Sequence, residues 1–263
     1  MVRTTVVKIG GSTLGQHDTS LDDIAALHAE GRPLVVVHGG GATISEWLDR
    51  YGVESRFVRG LRATDARTLE VVVAVLAGLV NTQLVAELEA RGARATGLSG
   101  AGAAILRARR YDEELGYVGE IVAVGTDALR AAAGESVAVL APIAIEAAGG
   151  HLTSQLLNVN ADTVAGEVAA ALGAELLVFL TDVAGVMDAS GAVLPALSAP
   201  QARELLAGRV ASGGMVPKIE AALRASAAGV PTVIVDGREA GALRAALAGG
   251  GTGTRIGPGR GEG

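Results

Sequence analysis

The feature that most constrains the fold is a run of four apolar residues, 34–37, that leads through His38 into three consecutive glycines. Three of the four apolar residues are valines, a composition typical of a strand buried on both faces of a parallel sheet. The residues after the glycines have the pattern of a helix N-terminus. Such a turn directs free backbone N–H groups and the positive end of a helix dipole at one point, which suits an anion. An ordinary tight connection between a strand and a helix accounts for the same residues, so both interpretations stay open.

A second strand with the same ending precedes it in the chain. Residues 4–9 are predicted to form a buried strand that carries Lys8 and continues into Gly10 and Gly11. A predicted helix over about residues 21–31 separates the two strands. The order strand, helix, strand, helix predicts a parallel sheet, and open α/β sheets bind ligands at the C-terminal edge of their strands.

Further periodic segments continue to the end of the chain. Strands are predicted over residues 95–99, 137–145, 152–157, 176–180 and 232–235, and helices over residues 163–172, 200–207, 217–227 and 239–247. Residues 104–109 and 117–124 are predicted to pair as a hairpin. A change of pattern near residue 173 divides the chain into two predicted lobes, residues 1–172 and 173–263.

The longest apolar segment, residues 71–80, begins at Val71 and ends at Val80. It is apolar on every side, which predicts a helix buried all round, as a central core helix or in a subunit interface. It is shorter than the roughly 18 residues of a membrane-spanning helix, so no membrane partner is expected.

Composition and charge exclude several classes of protein. Lys8 and the glycines after it interrupt the only apolar run near the start, so no signal peptide is predicted. The chain has no cysteine, which leaves no disulfide framework or thiolate metal site, and a cytoplasmic protein is expected. The net charge of −6 argues against a general nucleic-acid binder.

Both lysines of the chain lie beside glycine turns, whereas the other 20 basic residues are arginines. Lys8 precedes Gly10, and Lys218 follows Gly213 and Gly214. The turns match neither the P-loop pattern nor the dinucleotide-binding fingerprint. Each lysine alone would be an ordinary surface residue, but two of them beside separate glycine turns suit a polyphosphate.

Six motifs occur in the order and spacing of the amino-acid kinase family. They are VVKIGGS from Val6, VHGGG from Val37, GLR from Gly60, LNVNAD from Leu157, TDVAGV from Thr181 and GGMVPK from Gly213. The chain resembles this family over nearly its whole length and is most similar to the branch that phosphorylates N-acetyl-L-glutamate. The resemblance implies a three-layer αβα sandwich with a mainly parallel open central sheet. It also implies that the first lobe binds the amino-acid substrate and forms a dimer, and that the second lobe binds ATP.

The reaction implied by the resemblance moves the γ-phosphoryl group of ATP to the side-chain carboxylate of N-acetyl-L-glutamate, the second step of arginine biosynthesis. A carboxyl group with a pKa of about 4.3 is already ionised at pH 7, so this nucleophile needs no general base. The difficulty is to bring two anions together, which calls for positioning and electrostatic stabilisation. The cofactors expected are ATP and Mg²⁺, with the metal held mainly by the phosphates and its protein ligands unknown.

By matching motif positions, the resemblance implies catalytic roles for four residues. Lys8 and Lys218 would stabilise the transferring phosphoryl group from two sides, Asp162 would hold both lysines in place, and Gly11 would donate an N–H group. The implied substrate-binding residues are Gly40, Gly41, Arg62, Asn158 and Asn160. The implied nucleotide-binding residues are Gly10, Gly11, Ser12, Thr181, Asp182, Val183, Gly185, Val186, Met187, Ser212, Gly213, Gly214 and Lys218.

Several of these residues also have purely structural interpretations. Asp162 could simply be the N-cap of the helix that follows it. Arg62 could be an arginine at the rim of a polar loop, and Asn160 could form an Asx turn. His38 is interpreted as a support for the glycine turn.

Two alternative functions stay open. A sister kinase phosphorylates aminoadipate or glutamate attached to an acidic carrier protein in lysine or arginine biosynthesis. Arg107, Arg109 and Arg110 near the hairpin would suit such a carrier. A catalytically silent amino-acid sensor on the same fold is the second alternative, and the presence of both lysines with Asp162 argues against it.

The resemblance also implies a homodimer whose interface helix is the segment from Val71 to Val80. Because the first strand begins within a few residues of Met1, no regulatory N-terminal helix and no inhibition by arginine are expected.

Overall fold

The computed structural model describes residues 3–10, 19–208, 211 and 213–257. Gly11, Ser12 and Ser212, which are predicted to bind nucleotide, lie outside the described residues. The strands are β1 (Thr5–Ile9), β2 (Leu34–His38), β3 (Phe57–Val58), β4 (Leu61–Arg62), β5 (Ala95–Ser99), β6 (Leu106–Arg110), β7 (Gly119–Val124), β8 (Val137–Ala141), β9 (Ile143–Ala148), β10 (His151–Asn158), β11 (Leu176–Thr181), β12 (Ala196–Leu197), β13 (Thr232–Asp236) and β14 (Thr254–Ile256). The helices are α1 (Ser20–Ala29), α2 (Gly41–Arg50), α3 (Ala66–Val73), α4 (Asn81–Ala90), α5 (Thr126–Glu135), α6 (Ala161–Leu172), α7 (Ala199–Ala207), α8 (Met215–Ala227) and α9 (Ala242–Ala248).

Eight strands of the described part of the chain form one sheet in the order β12-β14-β13-β11-β1-β2-β8-β5. From β13 to β5 each strand pairs in parallel with its neighbour, and β14 pairs antiparallel with β13. This confirms the mainly parallel sheet predicted from the sequence. β1 lies between β2 and β11, so strands from both predicted lobes share one continuous sheet.

Helices cover both faces of this sheet, which confirms the predicted αβα sandwich. One buried cluster packs α5, α6, α7 and α8 against one face, and a second packs α1, α2, α3, α4 and α9 against the other. Successive side chains of a strand point to opposite faces. In β1, Val6 belongs to the first cluster, while Val7 and Ile9 belong to the second. The side chain of Lys8 therefore points to the same face as α6 and α8.

The strand predicted over residues 137–145, with an interruption at Pro142, is two strands in different sheets. Pro142 separates β8, which lies in the central sheet, from β9, which lies in a second sheet of the order β10-β9-β6-β7. Proline has no N–H group to donate to a sheet, so pairing stops there and the chain changes sheets. In the second sheet, β6 and β7 pair antiparallel, which confirms the predicted hairpin.

Helices α3 and α4 are joined by a π-helical segment, Ala74–Val80, into one continuous helix from Ala66 to Ala90. The prediction that residues 71–80 are buried all round is wrong for the single chain. Val75, Leu76 and Val80 are buried against the core, but Ala74 and Gly78 are exposed. One face of this helix is therefore uncovered.

By length and apolar composition, this helix is the one in the described residues that could cross a membrane. Core helices of globular proteins meet the same criterion. Its packing is that of a core helix, because its inner side belongs to the second buried cluster. At its middle, the buried Asn81 donates a hydrogen bond to the Val139 carbonyl of β8.

Candidate active site

The C-terminal ends of β1, β2 and β11 meet at one edge of the central sheet. The N–H group of Gly10 donates to the Leu180 carbonyl at 3.3 Å, and that of Gly39 donates to the Ile9 carbonyl at 3.2 Å. The two glycine turns therefore begin side by side, as the parallel sheet predicts.

A carboxylate shared by the two lysines lies at this edge. Lys8 Nζ is 2.9 Å from Asp162 Oδ1, at ion-pair distance, and Lys218 Nζ donates to Asp162 Oδ2 at 3.1 Å. Lys218 Nζ also donates to the carbonyl of Gly214 at 3.1 Å. All three charged side chains are buried. Two positive charges and one negative charge leave a local charge of +1, which favours a further anion.

Each member of this group comes from a different element. Lys8 projects from β1 toward α6, and Asp162 lies in the first turn of α6, where the helix dipole favours a carboxylate. Lys218 lies in the first turns of α8. Helices α6 and α8 approach closely at Gly166, where a Cβ atom would lie 2.8 Å from Ala221. A larger residue there would separate the helices and move Lys218 away from Asp162.

Asn160, not Asp162, is the N-cap of α6. Its side-chain oxygen accepts hydrogen bonds from the N–H groups of Asp162 and Thr163 at 2.8 and 3.2 Å. This is the structural role considered for Asn160, and the capping role considered for Asp162 is wrong. The carboxylate of Asp162 is consequently available to both lysines.

Burial lowers the pKa of Lys8, and the nearby ammonium of Lys218 acts in the same direction, while Asp162 opposes both. The charged form of Lys8 therefore depends on the carboxylate. An anion bound beside Lys8 would stabilise its ammonium further.

The glycine turn after β2 lies against the apolar helix. A Cβ atom on Gly40 would lie 2.8 Å from Cδ2 of Leu76 and 3.4 Å from Cγ2 of Val80, so a side chain at this position would require the buried side chain of Leu76 to move. Gly40 precedes α2, and its carbonyl accepts the first helical bond, from Ile44. The earlier N–H groups of α2 have no partner within the helix, which suits an anion at the turn.

His38 supports this turn from behind. Asn81 Nδ2 donates to the Val139 carbonyl at 2.9 Å and lies 3.1 Å from His38 Nε2. Because that nitrogen is a donor, His38 Nε2 accepts, and Nδ1 carries the proton that is donated to the Gly39 carbonyl at 3.0 Å. Burial lowers the pKa of His38 to about 4, so the ring is neutral at pH 7.

The structure brings the predicted substrate-binding residues together in one cleft beside the lysines. Its lining includes Lys8, Gly39, Gly40, Gly41, Arg62, Asn158, Asn160 and Asp162. The cleft has a volume of about 230 Å³, which suits a small molecule.

Arg62 lies in this cleft as a buried cation. Nη2 donates to the Gly41 carbonyl at 3.0 Å and to Ser45 Oγ at 2.9 Å, and Nη1 donates to Ser55 Oγ at 2.7 Å. The guanidinium also stacks on Phe57, 4.6 Å from the ring centre. Both N–H groups of Nη2 are engaged, so a carboxylate that binds through two parallel bonds has to replace one of these contacts.

The predicted nucleotide-binding residues of the second lobe do not line this cleft. Thr181 ends β11, and its hydroxyl donates to Asp182. Val183 lies in the loop that follows. In this loop a Cβ atom on Gly185 would lie 2.7 Å from Thr254 Oγ1, and the Val186 N–H group donates to the same hydroxyl. Met187 is exposed at the end of this loop. Gly213 and Gly214 precede α8, and Gly214 is connected to the site through Lys218.

Sequence reasoning missed Ser45, Ser55, Thr64 and Asn81. Asn81 had a detectable signal, since a single amide beside a long apolar helical segment needs a buried partner. The two serines and Thr64 had none, because small hydroxyl residues are common in polar loops. In the described part of the chain, no three histidine, aspartate or glutamate side chains are grouped as metal ligands.

Comparison with known proteins agrees with this geometry. The profile of the Amino acid kinase family matches residues 3–236. An acetylglutamate kinase of Dehalococcoides mccartyi is 44% identical over 253 residues, covering 95% of this chain and 93% of the relative. An acetylglutamate kinase of Synechococcus elongatus is 41% identical, covering 90% of this chain and 80% of the relative. The crystal structure of an N-acetylglutamate synthase from Neisseria gonorrhoeae, complexed with coenzyme A and N-acetyl-glutamate, matches with a TM-score of 0.82 and 28% identity, covering 98% of this chain and 60% of that one.

Replacing Asp162 with asparagine should destabilise the fold strongly. The change removes the carboxylate that the two buried ammonium groups share, and breaking a buried ion pair in this way costs about 3–5 kcal/mol. Urea unfolding at pH 7 measures the free energy. As a control, Glu120→Gln breaks an exposed pair with Arg109 and should leave the free energy nearly unchanged. Equal effects of the two substitutions would contradict the buried charge arrangement.

The stability of the protein should depend on His38 between pH 6.5 and 4. The folded pKa of about 4 lies below the ordinary value of 6.5, so in this window the unfolded chain binds a proton that the folded chain does not. The contribution of His38 is complete above pH 6.5 and is lost as the pH falls toward 4, by about 3 kcal/mol in total.

Urea unfolding at several pH values should therefore show a flatter dependence for His38→Asn than for the unmodified protein. His151→Asn, at an exposed histidine, is the control and should leave the dependence unchanged. Parallel curves for His38→Asn and the unmodified protein would show that His38 titrates normally.

Proposed function

The chain belongs to the amino acid kinase family, and from this premise we propose that it transfers the γ-phosphoryl group of ATP to the side-chain carboxylate of N-acetyl-L-glutamate. The product is N-acetyl-L-glutamyl 5-phosphate, formed in the second step of arginine biosynthesis. The observation that carries the proposal is the carboxylate of Asp162 shared by Lys8 and Lys218 beside the glycine turn. The choice of N-acetyl-L-glutamate as the substrate is supported by the acetylglutamate kinases that match nearly the full chain.

The geometry suits a reaction between two anions. The substrate carboxylate is ionised at pH 7 and attacks without a base, and negative charge builds on the transferring phosphoryl group. Lys8 and Lys218 approach that group from β1 and α8, and Asp162 fixes the position of both ammonium groups. The N–H groups at Gly40 and the start of α2 supply further donors at the same edge of the sheet.

On the substrate side, Arg62 binds the α-carboxylate and Asn158 binds the acetamido group. Both lie in the cleft that also contains Lys8, with Gly40 and Gly41 as part of its wall. Asn160 acts indirectly, by holding the start of α6 and therefore Asp162. The geometry of a guanidinium suits a carboxylate, and Arg62 can bind one through two parallel hydrogen bonds when the carboxylate replaces the hydroxyl of Ser45.

ATP binds to the second lobe, residues 173–263, through the loops after β11 and before α8. Mg²⁺ would be held mainly by the phosphates of ATP and would supply neutralisation of part of their charge. Asp162 is already paired with two lysines, so its role in the proposal is to orient these cations.

The carrier-linked substrate is the less favoured alternative. Two of the arginines that could receive an acidic carrier are paired within the chain, Arg109 with Glu120 at 2.7 Å and Arg110 with Glu146 at 3.0 Å. The surface near the hairpin therefore carries little uncompensated positive charge. A catalytically silent sensor does not transfer a phosphoryl group, so it does not need a carboxylate that holds two buried lysines in place.

The proposal includes a cytoplasmic homodimer that forms through the helix segment from Val71 to Val80. The exposed side of this segment carries Ala74 and Gly78. Beside it, Val71 and Ala74 form a groove with Trp47 and Tyr51, and Tyr51 is 60% exposed. Arg67 and Glu70 also line the groove, and an apolar surface with polar residues beside it is typical of a subunit interface.

Hydroxylamine converts an acyl phosphate to a hydroxamate, which tests the proposed reaction directly. With ATP and Mg²⁺, N-acetyl-L-glutamate should give hydroxamate, and glutamate, aspartate and aminoadipate should give much less. Lys8→Ala and Lys218→Ala should lower turnover about a hundredfold or more, because each removes a cation from the transferring group. Arg109→Ala, at an exposed cation, is the control and should retain turnover. Absence of hydroxamate from N-acetyl-L-glutamate would refute the proposal.

Gly78→Arg should convert the dimer to a monomer. A Cβ atom at Gly78 would meet no atom within 4 Å in the single chain, and a side chain there would project from the exposed side of the helix into the proposed interface. Gly134→Arg is the matched control, since Gly134 is also helical and exposed, and a Cβ atom there would also meet no atom within 4 Å. Sedimentation velocity measures the mass. A monomeric unmodified protein, or a dimeric Gly78→Arg variant, would show that the interface lies elsewhere or does not exist.

A further inference from the structure

Thr64 follows β4 and is almost completely buried, with 1% of its surface exposed. Its hydroxyl donates to the backbone carbonyl of Arg62 at 2.7 Å and accepts a hydrogen bond from Asn158 Nδ2 at 3.1 Å. Arg62 and Asn158 are the two side chains proposed to bind the substrate. One hydroxyl therefore connects both substrate-binding positions.

The backbone of Thr64 also forms hydrogen bonds with a third segment of the chain, residues 115–117. Its N–H group donates to the Leu115 carbonyl at 2.9 Å, and its carbonyl accepts from the N–H group of Tyr117 at 2.7 Å. The Tyr117 carbonyl in turn accepts from the N–H group of Asn158 at 2.9 Å. At Gly116, where φ is +68°, a Cβ atom would lie 2.5 Å from the Thr64 carbonyl oxygen, so this close contact requires glycine.

The hydrogen-bond donors determine how the amide of Asn158 is oriented. A hydroxyl has one proton, and that of Thr64 is donated to the Arg62 carbonyl. Its oxygen can then only accept, so the atom of Asn158 that faces it is the amide nitrogen. The side-chain oxygen Oδ1 of Asn158 is left to accept a hydrogen bond from another donor.

We propose that Thr64 is a positioning residue for the amino-acid substrate. It orients Asn158 so that Oδ1 accepts the N–H group of the acetamido substituent, and it fixes the separation between Asn158 and Arg62. An acetamido nitrogen is a donor, so the orientation that Thr64 imposes matches an N-acylated amino acid. This inference rests on the proposed function, and it assigns to Thr64 a part in the specificity of the site for an N-acylated amino acid.

The test compares Thr64→Val with Thr64→Ser. Valine has nearly the same shape as threonine but has no hydroxyl, whereas serine keeps it. Thr64→Val should raise the KM for N-acetyl-L-glutamate about tenfold, the effect of one lost hydrogen bond, and leave the KM for ATP within about twofold. Thr64→Ser should stay within about twofold of the unmodified protein for both substrates.

Two controls separate positioning from a general loss of structure. Thr96 also has a hydrogen-bonded hydroxyl, 2.7 Å from Ser136 Oγ, on an edge strand that does not line the cleft. Thr96→Val should leave both KM values unchanged. In the double variant with Asn158→Ala, Thr64→Val should raise the KM for N-acetyl-L-glutamate by a smaller factor than it does alone, because part of its effect acts through Asn158.

The outcomes are distinct. An unmodified protein that does not phosphorylate N-acetyl-L-glutamate overturns the proposed function and this inference with it. An active protein in which Thr64→Val keeps its KM, or raises both KM values equally, overturns the inference alone. If Thr64→Val does not fold, Thr64→Ala removes the same hydroxyl and is judged by the same criterion.

Discussion

The candidate active site depends on a single carboxylate that two buried ammonium groups share. Without Asp162, Lys8 and Lys218 would repel each other in a place from which water is largely excluded. With it, the two cations are held on either side of one carboxylate, and the group as a whole keeps a positive charge. This charge is what a transferring phosphoryl group needs, and it is available before any substrate binds.

The fold produces this arrangement from elements far apart in the chain. Alternation along β1 points Lys8 toward α6, Asn160 caps α6 so that Asp162 faces inward, and the close approach at Gly166 brings α8 near enough for Lys218. On the other face of the sheet, the apolar helix contacts the glycine turn through Leu76. The cations therefore belong to one side of the sandwich and the backbone donors to the other, and the sheet edge is where they meet.

The sequence was sufficient for the parallel sheet, the glycine turn after β2 and the family, and the comparisons confirm the family. Runs of valine before glycine specify buried strands and their ends, and the six ordered motifs are specific. The sequence was insufficient to predict which of several possible partners a polar side chain contacts. The capping role of Asn160 and the contacts of Arg62 with Ser45 and Ser55 depend on tertiary positions that no local pattern encodes. The interruption at Pro142 was predicted, but the change of sheet there was not, because an apolar run does not show which sheet each part joins.

The most direct test of this account is a crystal structure with N-acetyl-L-glutamate, MgADP and a planar mimic of the phosphoryl group such as aluminium fluoride. We predict that the mimic lies between Lys8 and Lys218, with both Nζ atoms within hydrogen-bond distance and the N–H groups of the glycine turn beside it. Asp162 should still contact both lysines. A mimic bound away from this position, or a lysine directed away from it, would contradict the central role given to the shared carboxylate.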